Sequence, residues 1–117
     1  MRALTQHGRY DYSPITRRRD YSWPGGARLA VYIGLNLEHF DFGQGLGAKL
    51  APSTPKPDVL NYSWRDYGNR VGVWRMLGLF DALKVPVGLL VNTSLYDYCP
   101  EALAAFVARG DEVIGHG

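Results

Sequence analysis

The 117-residue sequence is poor in several things whose scarcity narrows what it can be. It has a single cysteine, Cys99, which excludes an internal disulfide framework and a cysteine-based zinc site. No apolar run approaches the ~18 residues that cross a bilayer. The longest, Val85 to Val91, is broken by Pro86 and Gly88, so no membrane span is expected. The head, Met1 to Gly25, has no apolar stretch behind its arginines and reads neither as a secretory signal nor as a transit peptide, so the expected location is the cytoplasm. Excess charge is scarce too. Five arginines and two aspartates stand in the head, against eight basic and nine acidic side chains in the remainder. The run Arg17-Arg18-Arg19 is interleaved with Tyr10, Tyr12, Tyr21 and Trp23 but has no basic stripe elsewhere to extend it, so the expectation is a solvated or interface-packing arm and no nucleic acid.

What is abundant points to a folded chain. Trp, Tyr and Phe make up 13% of the residues and all hydrophobic types 46%, enough to build a core and too much for intrinsic disorder.

The pattern along the chain alternates strand and helix. After the turn signal Pro24-Gly25-Gly26, the run from Ala27 to Asn36 reads as a buried strand. Residues 38 to 67 carry Gly43, Gly45, Gly47, Pro52, Pro55 and Pro57 and hold no period, which predicts a long loop serving as a lid, a partner surface or a plain surface excursion. From Gly68 to Lys84 the residues Val73, Trp74, Leu77, Phe80 and Leu83 recur at the spacing of one helix face. Pro86 to Asn92 reads as a second buried strand. Pro100 to Arg109, opened by a proline and closed by Gly110, reads as a helix, and Asp111 to Gly117 begins a third strand. The expected fold class is therefore α/β, with parallel strands joined by crossover helices. Its expected division is a Tyr- and Arg-rich arm over residues 1–26 and an α/β domain over residues 27–117.

In such folds chemistry collects where the strands end. Here those ends offer Asn36, Glu38 and His39, then Asn92, Thr93 and Ser94, then His116. A carboxylate with two imidazoles can serve general acid/base hydrolysis. The same groups can also bind a metal, His39 and His116 as nitrogen ligands with Glu38 activating water, although two imidazoles leave a zinc site one ligand short. Each group also has a plainer use: a loop histidine, a histidine donating to a carbonyl, a glutamate paired with Arg65 or Arg70, an asparagine capping a helix. His7 reads as solvated. Cys99 has no neighbouring base and reads as structural.

The sequence resembles the N-terminal part of the NodB-homology polysaccharide deacetylases, and more closely their allantoinase-like branch. The resemblance runs through Arg9-Tyr10-Asp11-Tyr12, Asn36-Leu37-Glu38-His39-Phe40, Tyr67-Gly68-Asn69-Arg70-Val71-Gly72-Val73-Trp74-Arg75 and Gly110-Asp111-Glu112-Val113-Ile114-Gly115-His116-Gly117. It implies a distorted (β/α) barrel that hydrolyses carbon–nitrogen bonds other than peptide bonds, with a small amide or an N-acetylated sugar as substrate. Where the polysaccharide branch has T-F-D-D-G, Glu38 falls at the base and His39 at the metal-binding aspartate; His116 falls at the first histidine of H-[ST]-x-x-H. The departure from Asp-Asp agrees with the allantoinase-like branch, and two cofactor states stay open, a divalent metal such as zinc or none. The candidate substrate-binding residues are Asn36, Arg65 and Asn92, the guanidinium of Arg65 or Arg70 near the loop being placed to orient an anionic or carbonyl-rich substrate. A barrel of this kind needs about 250 residues. The chain is accordingly expected to supply its opening strands, to have little activity alone, and to self-associate or pair with a C-terminal part. The competing expectation is a non-catalytic α/β remnant that binds a partner through an open sheet edge.

Overall fold

The computed structural model describes residues 8–44 and 56–116. His7, Gly117 and the centre of the expected loop, with Gly45, Gly47, Pro52 and Pro55, lie outside the described residues. The chain divides between Val31 and Tyr32 into two units. Within residues 8–31, two short 3-10 turns occur, Ile15–Arg17 and Pro24–Gly26, and no residue is buried.

The second unit holds a three-stranded parallel sheet in the order β1 (Gly34–Leu37), β2 (Gly88–Val91), β3 (Glu112–Gly115). The expected α/β class and parallel strands are thus present. Between β1 and β2 the helix α1 (Val59–Tyr67) passes through a π-helical turn (Gly68–Gly72) into α2 (Val73–Leu83). A single short turn, α3 (Leu95–Tyr98), and α4 (Pro100–Ala108) lead from β2 to β3.

The first strand is shorter than its sequence suggests. Val87 donates its N–H to Asp111 Oδ1 at 3.0 Å, and Pro86 has no N–H to give, so the ladder between β1 and β2 ends where Gly88 N–H reaches the Ile33 carbonyl at 2.9 Å. Leu29, Val31 and Tyr32, expected within a buried strand, are consequently exposed. The expected loop over residues 38–67 is also not all loop. Asp58 Oδ1 accepts from Asn61 N–H at 3.0 Å and caps α1 across residues 59–67.

Side chains alternate across a strand, and the two faces of this sheet differ accordingly. Leu37, Leu89 and Val91 are buried with Val73 and Phe80 of α2, Leu95 of α3, and Ala102, Leu103 and Phe106 of α4. On the helical face expected for 68–84, Val73 and Phe80 do face the core, whereas Trp74 and Leu83 are exposed. The opposite sheet face carries Asn36, Leu90 and Ile114 in one cross-strand row. There the Tyr32 hydroxyl occupies the place a side chain on Gly88 would take.

Structural locks gather at the N-terminal end of the strands. The Asp111 side chain is only 2% exposed; it accepts from Arg109 Nε at 2.7 Å while Arg109 also bonds Asp81 and donates to the Val85 carbonyl at 2.9 Å. Gly110, with φ 81°, makes the left-handed turn that ends α4. The C-terminal end of the sheet is left for polar side chains.

Candidate functional site

At that end Glu38 and His116 meet. Adjacent strands stand ~4.8 Å apart, so β1 and β3, with β2 between them, are separated by about twice that distance. Glu38 and His116 follow Asn36 and Ile114 by two residues, and His116 N–H still bonds the Val91 carbonyl at 2.8 Å, continuing the ladder. Both side chains therefore emerge on the open face and reach over the end of β2, where Glu38 Oε1 lies 2.6 Å from His116 Nε2. The pair is about two-fifths exposed on each side, accessible to a ligand and to water.

Two asparagines hold the chain that presents Glu38. Asn69, on the π-helical turn, is 6% exposed and donates from Nδ2 to the Glu38 carbonyl at 2.9 Å. Asn92 brackets the next residue: its Oδ1 accepts from His39 N–H at 3.1 Å and its Nδ2 donates to the His39 carbonyl at 2.7 Å. Ser94 Oγ donates to the same carbonyl at 2.8 Å. Asn92 is thus a backbone clamp, and its side chain caps no helix in this arrangement.

His39 does not join the Glu38–His116 pair. Its ring stacks on Tyr98, with centroids 3.8 Å apart and planes 13° from parallel, and its Nδ1 is buried without a hydrogen-bond partner. Behind the stack, the Tyr98 hydroxyl donates to Asp66, and Arg70 donates to Asp66 Oδ2 at 2.5 Å and to Tyr98 Oη at 3.0 Å. Burial pushes the Asp66 carboxyl up, but the hydrogen bonds from Tyr98 and Arg70 outweigh it and hold Asp66 below its ordinary value. The same bond to Asp66, aided by burial, pushes the Tyr98 phenol up to about 12. Arg70 is thereby committed to Asp66 and not to Glu38. Cys99 is half-buried, and desolvation pushes its thiol up, as suits a structural residue.

Among the described residues no three His, Cys, Asp or Glu side chains converge to hold a metal. His39 and His116, expected as two ligands, are occupied separately, so the residues described do not compose the three-ligand site zinc takes in catalysis. Asn36 is exposed on the open sheet face just before Glu38. The Arg65 guanidinium lies 4.6 Å over the Phe40 ring.

Two open cavities flank this edge. One, about 560 Å³, is lined by His39, Asn92, Thr93, Ser94 and His116 together with Phe40 and Asp41. The other, about 670 Å³, lies between β1 and the helices and includes Glu38, Phe40, Arg65 and Asn69 in its wall. No family model, curated protein or solved structure matches the chain.

Sequence reasoning named Glu38, His116, Asn92 and Ser94 but missed Asn69, Asp66 and Tyr98 as parts of the site. The Asp66–Arg70 spacing of four was available as a signal for a helical ion pair. Nothing in the local pattern announces that Tyr98 closes over it.

Proposed function

We propose that the strand ends carry the site of a hydrolase acting on carbon–nitrogen bonds other than peptide bonds, in a sheet that corresponds to the opening strands of a distorted (β/α) barrel. The observation that carries this reading is the 2.6 Å Glu38–His116 pair, presented on one face at the C-terminal edge of parallel strands. The resemblance of residues 36–40, 67–75 and 110–117 to segments of polysaccharide deacetylases and allantoinases supports the choice of bond, and the substrate is an amide of a sugar or a cyclic ureide.

The chemistry follows from the pair. Glu38 takes a proton from water as the water oxygen bonds to the amide carbon. The C–N bond then breaks, and the leaving nitrogen takes the Nε2 proton of His116. Transfer of the first proton from Glu38 to His116 along their hydrogen bond restores both groups. No step is routed through a metal, since the described residues do not form a site for one.

The test is acetate release from N-acetylglucosamine oligomers and ring opening of allantoin by the purified protein, with and without added zinc. Slow turnover is expected, reduced at least about 100-fold by Glu38→Gln and by His116→Asn. Turnover that is indifferent to Glu38, or none on any amide in either condition, overturns the proposal. The latter result would favour partner binding along the outer edge of β3, which pairs only with β2 among the described residues.

A further inference from the structure

The cavity on the helix side of Glu38 is shaped by two glycines that nothing in the backbone calls for. Gly68 and Gly72 both have right-handed helical conformations, φ −57° and −59°. A Cβ on Gly68 would meet nothing within 4 Å, and one on Gly72 would meet only the Tyr67 carbonyl oxygen at 3.9 Å. Neither left-handed geometry nor close packing requires glycine, and glycine weakens a helix relative to alanine. What the two residues leave is space, and both line the 670 Å³ cavity.

The remaining walls specify an occupant. Arg65 and Arg75 line the cavity with Gly68 and Gly72, one guanidinium preceding the glycines along the chain and one following them. Arg75 has no carboxylate partner among the described residues. Glu38, the one acid among the described lining residues, is already engaged by His116. The balance of charge is positive, and a guanidinium matches a carboxylate in shape as well as in sign. Trp64 and Phe40 add aromatic surface, and Leu37 and Met76 add aliphatic surface.

We propose that this cavity binds a small planar organic carboxylate, its flat apolar body lying over Gly68 and Gly72 and its anionic group on Arg75. The inference goes beyond the proposed function: it concerns a ligand site beside Glu38, and binding there does not depend on hydrolysis.

The test is calorimetric titration of the full chain with 2-naphthoate, using 2-naphthamide as the neutral isostere. Saturable binding of naphthoate is expected, with naphthamide at least about tenfold weaker. Arg75→Ala, at an exposed position, should weaken naphthoate by a similar factor, and Gly72→Leu should abolish binding by filling the space while circular dichroism shows the helix retained. Equal affinity for the two probes, undiminished binding in Gly72→Leu, or no saturable binding at all overturns the inference. If binding behaves as expected while turnover is independent of Glu38, the hydrolytic proposal fails and this one stands; if Glu38-dependent turnover occurs without binding, the reverse holds.

Discussion

Tyr98 joins two parts of the site through one side chain: its ring supports His39 and its hydroxyl bonds the Asp66–Arg70 pair. A phenol that donates to a carboxylate resists giving up its proton, and that is the main reason its titration is displaced to about 12 from the ordinary 10.0. A group with a raised folded value stabilises the fold fully below its unfolded value and loses that contribution as pH rises through the folded one. Tyr98 therefore stabilises the protein up to about pH 10 and ceases to do so through about pH 12. Asp66 works the other way: its folded value is lowered, so its contribution is present above its unfolded value of 3.8 and is lost as pH falls through the lower folded value. The difference between the ultraviolet titration curves of the wild type and Tyr98→Phe should isolate one phenol with a midpoint near 12. At pH 7 the same substitution should cost about 1 kcal/mol in urea unfolding, the net worth of a partly exposed hydrogen bond, and the cost should shrink as pH rises beyond 10. A difference curve with its midpoint at the value of a free phenol would contradict the hydrogen bond to Asp66.

The π-helical turn is the element that brings the site together. By inserting a residue into the helix it changes which side chains face inward, and Asn69 turns from the helix surface to the Glu38 carbonyl. Asn69→Ala leaves that carbonyl without its side-chain donor, for an expected loss of about 1–3 kcal/mol. It should also free the Glu38 backbone, so that the rate falls further than in a surface variant of equal stability. Denaturation midpoints read beside turnover at saturating substrate check both effects; unchanged stability would show the bond to be dispensable. This element also marks the limit of what the sequence makes legible. β2 and α4 are plain in it because a continuous apolar run and a Pro–Gly bracket are local signals. α1 buries no residue and so imposes no apolar period, and a π-helical turn breaks the 3.6-residue repeat by which inward positions are recognised. The convergence of Glu38 with His116 was legible because both lie just past strand ends. The departure of His39 follows from alternation, since consecutive residues on an extended strand point to opposite sides.

Across the molecule, burial is confined, among the described residues, to the second unit. The three largest fully buried side chains, Phe106, Leu89 and Leu95, belong to the second unit, whereas residues 8–31 bury nothing and are bonded over short range, as in Arg17 N–H to the Pro14 carbonyl and Gly26 N–H to the Trp23 carbonyl. Local bonds without a core open at little cost, while amides of a central strand open only with the fold. Hydrogen exchange of the intact chain should thus be near the intrinsic rate at residues 15–28 and slowest in β2. Phe106→Ala empties the centre of the core and should cost about 3–5 kcal/mol. It should speed exchange in β2 by the corresponding factor and leave residues 15–28 unchanged, because the backbone bonds described there run to residues close in sequence. Equal protection in the two regions, or a Phe106→Ala effect on both, would mean that residues 8–31 share the cooperative fold of the sheet and that stability is not confined to the second unit.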